Sequence, residues 1–219
     1  MSKIINYDTS LYRFSEMMQE IFGVDDLDCL HDRREELLPN EKLNFDNESK
    51  TEFHKLFYSK MNSNQLRNLE EAYISFIKNE ICPLFDEEIL FQYMPSFRVQ
   101  LPFEKAIHKW HYDSDDDHRH PQWEINIQLA VTDMLDNRAM WIESVPGLKD
   151  FSPMEMTYGQ FAIFDGNRCT HGNKMNDTGK TRISFDFRIM PISKHEPEKS
   201  INSVTSNKKF VVGDYYRKI

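Results

Sequence analysis

In the first ninety residues, apolar side chains recur at spacings of three and four, which is the period of an amphipathic helix. This pattern predicts four helices: 9–22, 31–38, 51–58 and 64–81. The first has Thr9 or Ser10 as its cap and Gly23 as its stop, while Pro39 and Pro83 follow the second and fourth. We expect these helices to pack on the outside of a sheet.

After Phe91 the period of the apolar positions falls to two, which is typical of β-strands. In 123–131 one face is wholly apolar and the other is mostly polar. That combination is expected for a barrel strand that packs on helices outside and lines a polar cavity inside. Strands are predicted at 97–101, 107–113, 123–131, 140–144, 155–157, 160–164 and 182–190.

Together these elements predict an α+β fold with a double-stranded β-helix core, also called a jelly roll and similar to the cupins. We place the core at 91–191 and a helical region packed on it at 1–90. A polar tail follows at 192–219, and its segment 210–216 is apolar enough to dock back onto a single overall domain.

Charge and cysteine content narrow the possible partners. A net charge of −9 disfavours nucleic acid and anionic membranes, and favours a neutral or cationic small-molecule substrate. The three cysteines form no C-x-x-C pair, which predicts free thiols in a reducing compartment. Without a signal-peptide core or a membrane-length apolar run, we expect a cytoplasmic protein. The sequence carries no signal for an oligomeric state.

Three residues have the types and order of a metal site. His111 and Asp113 are two positions apart, so they share one face of an extended strand. His171 follows after enough chain to cross a small barrel and return. Two histidines and one carboxylate can form a facial triad that leaves positions open on Fe(II). Zinc, which takes the same ligand types, is the main alternative.

Other polar residues are expected to face inward with the triad. Arg182 and Ser184 share one face of a strand, where a guanidinium and a hydroxyl suit a carboxylate; a zinc site gives no reason for such a pair. Asn126 is expected to bind a cosubstrate carboxylate or a metal ligand. Gln100 and Arg98 face inward too, and either binds cosubstrate or substrate or joins an internal hydrogen-bond network.

The remaining charged residues have simpler expected roles. His118 and His120 lie in a charged loop and are expected to be solvated, while His108 falls on the opposite face from His111. Asp186 and Arg188 are expected to pair with each other or to end at the mouth of the barrel.

The ordered set of H-x-D, a distal histidine, and an arginine followed by a hydroxyl residue resembles the 2-oxoglutarate and Fe(II)-dependent oxygenases. More narrowly, 97–191 is similar to small oxygenases found beside streptomycin-type biosynthesis genes, through 141–144 (WIES), 164–173 (FDGNRCTHGN) and 176–182 (NDTGKTR).

This resemblance implies Fe(II), 2-oxoglutarate as cosubstrate and O2. It also implies that the distal carboxylate of 2-oxoglutarate binds Arg182 and Ser184, and that an unactivated C–H bond is hydroxylated. Asp113 argues against halogenation, because halogenases of this type lack that carboxylate. Desaturation, cyclisation and epoxidation stay open, as they use the same iron.

Four residues are candidates for substrate contact. Trp141 and Glu143 are expected to share a face beside the iron, as a cradle for an amine, with Arg98 and Asn173 nearby. Two other functions also fit the chain: a cupin-like metal-binding or sensor protein without redox chemistry, and a zinc-dependent hydrolase.

Overall fold

The computed structural model describes residues 2–37, 52–60, 63–103, 110–204 and 206–219. The α-helices in these ranges are α1 (Phe14–Phe22), α2 (Arg34–Leu37), α3 (Glu52–Ser59) and α4 (Asn64–Phe76). The strands are β1 (Lys3–Asn6), β2 (Ile89–Gln92), β3 (Ser96–Gln100), β4 (Ile125–Ala130), β5 (Met140–Ile142), β6 (Ser152–Met154), β7 (Gln160–Phe164), β8 (His171–Asn173), β9 (Arg182–Pro191) and β10 (Tyr216–Lys218).

Helix α1 ends where the sequence predicts but begins later. Gly23 adopts the left-handed conformation at φ 67°, and its N–H donates to the carbonyl of Gln19. The predicted cap region instead forms a turn, because Asp8 Oδ1 accepts hydrogen bonds from both the N–H and the hydroxyl of Ser10. The helix therefore starts at Phe14 rather than at Thr9.

The other helices follow the predicted pattern with local changes. A 3₁₀ turn precedes α2. Leu38, the last residue of the predicted 31–38 helix, lies outside the described residues, as does Pro39 after it. Ser63 caps α4 by accepting a hydrogen bond from the N–H of Leu66. Beyond α4 the predicted helix continues as a π-helical turn, Ile77–Ile81, before Pro83.

Two antiparallel sheets form the rest of the described structure. The larger has the order β1-β7-β4-β9-β2-β10, and β3 pairs with the first half of β9 on the same edge as β2. The smaller has the order β6-β5-β8, and a bridge between His111 and His171 extends it beyond β8. The mixed helical and antiparallel architecture predicted from periodicity is confirmed.

The helices cover the outer face of the large sheet. Phe185 and Phe187 of β9 and Ile127 of β4 are buried there with the apolar faces of α1, α3 and α4. The rings of Phe57 and Phe97 stack with centroids 4.6 Å apart, which joins α3 to β3. The alternation in 123–131 arises here, because its apolar residues face the helices.

A second apolar cluster lies between the two sheets. It joins Ala130, Ala162 and Phe164 of the large sheet to residues of the small sheet and its connections: Met134, Met140, Ile142, Met154, Met156 and Cys169. The inner faces of the sheets therefore meet, and the polar inner residues of β3, β4 and β9 lie beside this cluster.

Several strands differ from the predicted ones. The sequence does not predict β1, β8 and β10, because three or four residues are too few to show a clear period. The strand predicted at 155–157 is instead Ser152–Met154. Trp123 lies outside β4 and is 52% exposed. Of the predicted 107–113 strand, 107–109 lies outside the described residues, and this includes His108.

The C-terminal end packs on the large sheet. Strand β10 pairs with β2, and Phe210, Tyr215 and Tyr216 are buried with Leu90 and Met190. In the part of the chain that the structure describes, all three cysteines have unpaired thiols. None of the helices in that part combines the length and apolar character needed to cross a bilayer.

Candidate metal centre

The structure brings His111, Asp113 and His171 together. One donor atom from each lies within 4.8 Å of the other two. Asp113 Oδ1 is 3.5 Å from His111 Nε2 and 3.8 Å from His171 Nε2. These separations leave room for one ion bound at about 2.1 Å from each ligand atom.

Backbone pairing places the three side chains. His111 and His171 exchange two hydrogen bonds between their backbones, of 3.0 and 2.8 Å, so both imidazoles lie on one face of the small sheet. The N–H of Asp113 donates to the carbonyl of Gly166. A Cβ atom on Gly166 would lie 2.6 Å from the ring of Phe164 and 2.9 Å from the Asn126 amide, so a larger residue would displace the groups around Asp113.

The two carboxylate oxygens of Asp113 have different surroundings. Oδ2 accepts hydrogen bonds from Asn126 Nδ2 at 2.6 Å and from Arg188 Nε and Nη2 at 3.0 and 2.9 Å. Burial alone would raise the pKa of Asp113, but the Arg188 guanidinium and a hydrogen bond from His111 hold it well below its ordinary value. With Oδ2 saturated by donors, Oδ1 is the oxygen available to a cation.

His171 is neutral and oriented for ligation. Its Nδ1 lies 3.1 Å from the carbonyl oxygen of Cys169, which turns Nε2 toward Asp113. Burial lowers the pKa of His171 to about 4, and the nearby His111 adds to this although Asp113 opposes it. A neutral imidazole is the form that binds a metal ion.

Arg182 is a buried cation on the inner face of the large sheet. Its Nη1 donates to Ser184 Oγ at 3.1 Å and its Nη2 to Gln100 Oε1 at 3.3 Å, while Nε is buried without a partner. Among the described residues it pairs with no carboxylate. Burial lowers its pKa to about 10, and repulsion from Arg98 contributes. A guanidinium held in this way would be strongly stabilised by a bound anion.

The structure shows the hydrogen-bond partners of Gln100 and Asn126, for each of which the sequence allows two roles. Gln100 positions Arg182, and its own Nε2 donates to the carbonyl of Lys174 at 2.7 Å. Asn126 contacts Asp113, a candidate metal ligand, and such a contact is one of its two predicted roles.

Arg98, Asp186 and Arg188 form a chain of alternating charges that ends at Asp113. Asp186 accepts hydrogen bonds from Arg98 on one side and from Arg188 Nη1 on the other, the latter at 2.6 Å. The predicted pairing of Asp186 with Arg188 is present, but the contact of Arg188 with Asp113 was missed. Arg98 bonds to Asp186, which is the internal hydrogen-bond network that was one of its two predicted roles.

Gln128 was also missed, although the alternation of β4 placed it on the inner face. It lies opposite Asp186 on β9 and Ala162 on β7, and its buried Oε1 has no hydrogen-bond partner among the residues that the structure describes. Its position between Asn126 and Ala130, the residue opposite Ser184, is the signal that could have found it.

Trp141 and Glu143 do not border the triad, which corrects their predicted position. Ile142 lies opposite His171 and Trp141 lies opposite Gly172, so Trp141 is on the other face of the small sheet. Lys174 Nζ lies 3.2 Å from the centre of its ring.

The carboxylate of Glu143 is 2% exposed and accepts backbone N–H groups from Thr170 at 2.6 Å and Lys149 at 2.9 Å. Burial alone would raise the pKa of Glu143, but these bonds lower it to about 2. The Glu143 carboxylate therefore joins the segments that carry Lys149 and Thr170. Asn173 does share the face of His171, and its Nδ2 lies 3.4 Å from the carbonyl of Ala139.

The two loop histidines are less solvated than expected. The His118 ring stacks on His111 with centroids 4.1 Å apart, and its Nδ1 lies 2.7 Å from Asp115 Oδ1. The His120 side chain is 7% exposed and its Nδ1 lies 2.6 Å from Glu124 Oε2. The run of acidic residues at 113–117 predicts a solvated loop, and for that reason these contacts were not predicted.

Comparison with known proteins identifies one sequence relative and several solved structures of similar fold. No family model matches the chain. It is 27% identical over 212 residues to the streptomycin biosynthesis protein StrG of Streptomyces griseus, which covers 97% of this chain and 96% of StrG.

Among solved structures, CytC3 with Fe(II) and alpha-ketoglutarate matches 90% of this chain and 77% of its own, at 16% identity and a TM-score of 0.52. The alpha-ketoglutarate dependent carbocyclase SnoK from nogalamycin biosynthesis matches 87% and 79%, at 12% identity and a TM-score of 0.47. The chain therefore shares the fold of CytC3.

Proposed function

We propose that the protein is a non-haem Fe(II) and 2-oxoglutarate-dependent oxygenase that hydroxylates an unactivated C–H bond of a small metabolite. The observation that carries this proposal is the pairing of two sites on facing inner surfaces. His111, Asp113 and His171 lie on one side. Arg182 lies on the other, buried and without a carboxylate partner among the described residues. A metal ion alone would not require the second site.

The residues have separate tasks in this proposal. His111, His171 and Asp113 Oδ1 would hold Fe(II), which when bound supplies the activation of O2 that couples hydroxylation to conversion of 2-oxoglutarate into succinate and CO2. Arg182 and Ser184 bind the distal carboxylate of the cosubstrate. Gln100 orients the Arg182 guanidinium through its amide oxygen.

We also propose that the two sheets are the walls of a double-stranded β-helix. The antiparallel pairing, the shared apolar cluster between the inner faces and the polar residues beside that cluster support this arrangement. The fold shared with CytC3 agrees with it.

The substrate class rests on two observations. StrG is a streptomycin biosynthesis protein, which supports a role in making a small secondary metabolite. The net charge of −9 supports a small molecule over nucleic acid or an anionic membrane, and we place the protein in the cytoplasm. The amine cradle predicted at Trp141 and Glu143 loses its support, since both lie away from the triad. Arg98 and Asn173 are the predicted substrate residues that lie on the inner faces of the two sheets.

The test is 2-oxoglutarate binding and turnover under controlled metal loading. Anaerobic protein loaded with Fe(II) should bind 2-oxoglutarate in a calorimetric titration, and admission of O2 should release succinate. Arg182→Gln should weaken 2-oxoglutarate binding at least about 30-fold, because a charge-assisted pair is lost. Arg168→Gln, at a surface arginine paired with Asp165, is the control and should bind normally.

Two results would reject the proposal. A protein that binds Fe(II) but not 2-oxoglutarate would be a metal-binding or sensor protein. A protein whose hydrolytic activity requires Zn²⁺, with no succinate released in the presence of Fe(II), would be a zinc hydrolase.

A further inference from the structure

The C-terminal end of the chain reaches the loop that carries Asp113 through buried hydrogen bonds. Tyr216, at the start of β10, is fully buried and its hydroxyl donates to Glu124 Oε1. The other oxygen of this carboxylate, Oε2, lies 2.6 Å from His120 Nδ1. The backbone N–H of His120 then donates to the carbonyl oxygen of Asp113 at 2.9 Å. Two side chains thus connect the Tyr216 hydroxyl to the backbone of a candidate metal ligand.

The hydroxyl is not required to bury the C-terminal segment. The Tyr216 ring already packs in an apolar cluster with Phe210, Leu90 and Met190. Tyr215, its neighbour, is also buried, and its hydroxyl donates to Gln92 Oε1 at 2.9 Å and so bonds to β2. Of two adjacent buried tyrosines, one bonds to the sheet and the other to the loop.

Glu124 depends on these donors. Glu124 is 3% exposed, and a carboxylate buried to that extent destabilises the fold unless it accepts hydrogen bonds. Loss of the Tyr216 hydroxyl leaves Oε1 short of a donor, so Glu124 is expected to move toward other donors or water. His120 would move with it, because the two share a short hydrogen bond.

The opposite side of the same loop is held independently. The N–H groups of Asp113 and Ser114 donate to the carbonyls of Gly166 and Asn167, and Asn167 Nδ2 donates to the carbonyl of Pro121 at 2.8 Å. The loop is therefore fixed on one side by 166–167 and on the other by the C-terminal segment. Only the second attachment depends on Tyr216.

We propose that Tyr216 is a positioning residue of the metal centre, which acts through Glu124 and His120 to keep Asp113 Oδ1 directed toward the two histidines. This inference rests on the proposed function only in that the triad binds a metal ion. It assigns the C-terminal segment a role in metal affinity in addition to packing.

The experiment compares Tyr216→Phe with Tyr215→Phe in the full-length chain. Each variant keeps its ring and loses one buried hydroxyl, and only the first loses a bond to the Asp113 loop. Co(II) affinity, measured from its ligand-field absorption, should fall about tenfold in Tyr216→Phe, as is typical when outer partners of a ligand are lost, and less than about twofold in Tyr215→Phe. Glu124→Gln is a second variant expected to weaken Co(II) binding.

Amide hydrogen exchange of the metal-free protein gives a separate readout. The N–H of His120, which donates to Asp113, should exchange faster in Tyr216→Phe but not in Tyr215→Phe. Equal Co(II) affinity in the two tyrosine variants, or unchanged exchange at His120, would overturn the inference. If the unmodified protein binds no metal, the proposed function fails instead, and the exchange experiment still decides whether Tyr216 holds the loop.

Discussion

At the scale of single residues, the candidate site depends on which polar atoms are satisfied. Asp113 uses one oxygen for protein donors and keeps the other toward the histidines. Arg188 supplies two of the three donors and also bonds to Asp186. Since a guanidinium makes these contacts in a fixed fork, an ammonium cannot replace it.

Arg188→Lys therefore tests how Asp113 is oriented. We expect this variant to weaken Fe(II) or Co(II) binding about tenfold, because Oδ2 loses a bidentate partner while the local charge is kept. Arg98→Lys, at the far end of the same charge chain, is the control and should change metal affinity less than about twofold, as Arg98 contacts Asp186 and not Asp113. Equal losses in both variants, measured by titration, would contradict a specific role for Arg188.

Gln128 and Gln100 form a second matched pair. Gln128 Oε1 is buried without a partner, whereas the Gln100 amide both donates and accepts. Gln128→Leu should leave the free energy of unfolding of the metal-free protein unchanged or raise it by about 1 kcal/mol, while Gln100→Leu should lower it by about 1–3 kcal/mol. Urea unfolding measures both. A large loss in Gln128→Leu would mean that its amide is satisfied in the folded chain.

At the scale of secondary-structure elements, the small sheet places two of the three candidate metal ligands, His111 and His171. Gly172 lies between His171 and Asn173 in β8, and a Cβ atom there would lie 2.8 Å from the indole of Trp110. Trp110 in turn precedes His111 and packs edge-on against Phe151, with ring centroids 4.5 Å apart. The small residue at 172 therefore allows the segment with His111 to pair closely with β8.

Gly172→Ala tests this close approach. We expect it to lower the free energy of unfolding by about 1–3 kcal/mol through overpacking and to weaken metal binding, since the indole must move beside His111. Trp110→Ala alone also loses stability, because its contact with Phe151 is removed. The double variant should be more stable than the sum of the two losses implies, as measured in a double-mutant cycle. Strictly additive losses would show that residue 172 and the indole do not compete for space.

The sequence predicts elements better than it predicts which element faces which. The alternation in 123–131 and 182–190 gave the correct inner faces, because a period of two is a local property. The position of Trp141 was wrong, because its face depends on pairing with β8, and a strand of three residues shows no clear period. The Glu143 carboxylate accepts a hydrogen bond from the backbone N–H of Thr170, 27 residues further along the chain, and no local pattern reveals this contact.

At the scale of the whole molecule, the fold separates apolar and polar interiors. The outer face of the large sheet is buried under helices, and the inner face is divided between an apolar cluster and a set of buried charges. Arg98, Asp186, Arg188 and Asp113 balance one another in that set, whereas Arg182 pairs with no carboxylate in the described part of the chain. The structure thus stabilises Asp113, a candidate metal ligand, through neighbouring protein groups, and leaves the charge of Arg182 without a carboxylate partner among the described residues.

The same burial predicts how the metal-free protein responds to acid. Burial lowers the pKa of His54 and of His171 from 6.5 to about 4, so both are neutral when folded at pH 5, whereas in the unfolded chain they are mostly protonated. The unfolded state then binds more protons, and stability falls as pH drops from about 6.5 to about 4.

Each histidine can contribute up to about 3 kcal/mol over this range. His54→Gln and His171→Gln should each reduce the slope of unfolding free energy against pH, measured by urea unfolding with a chelator present. Asp113 and Asp186 titrate below this window, because cationic neighbours lower their pKa values. Unfolding free energies that stay constant between pH 6.5 and 4.5 would contradict the burial of two neutral imidazoles.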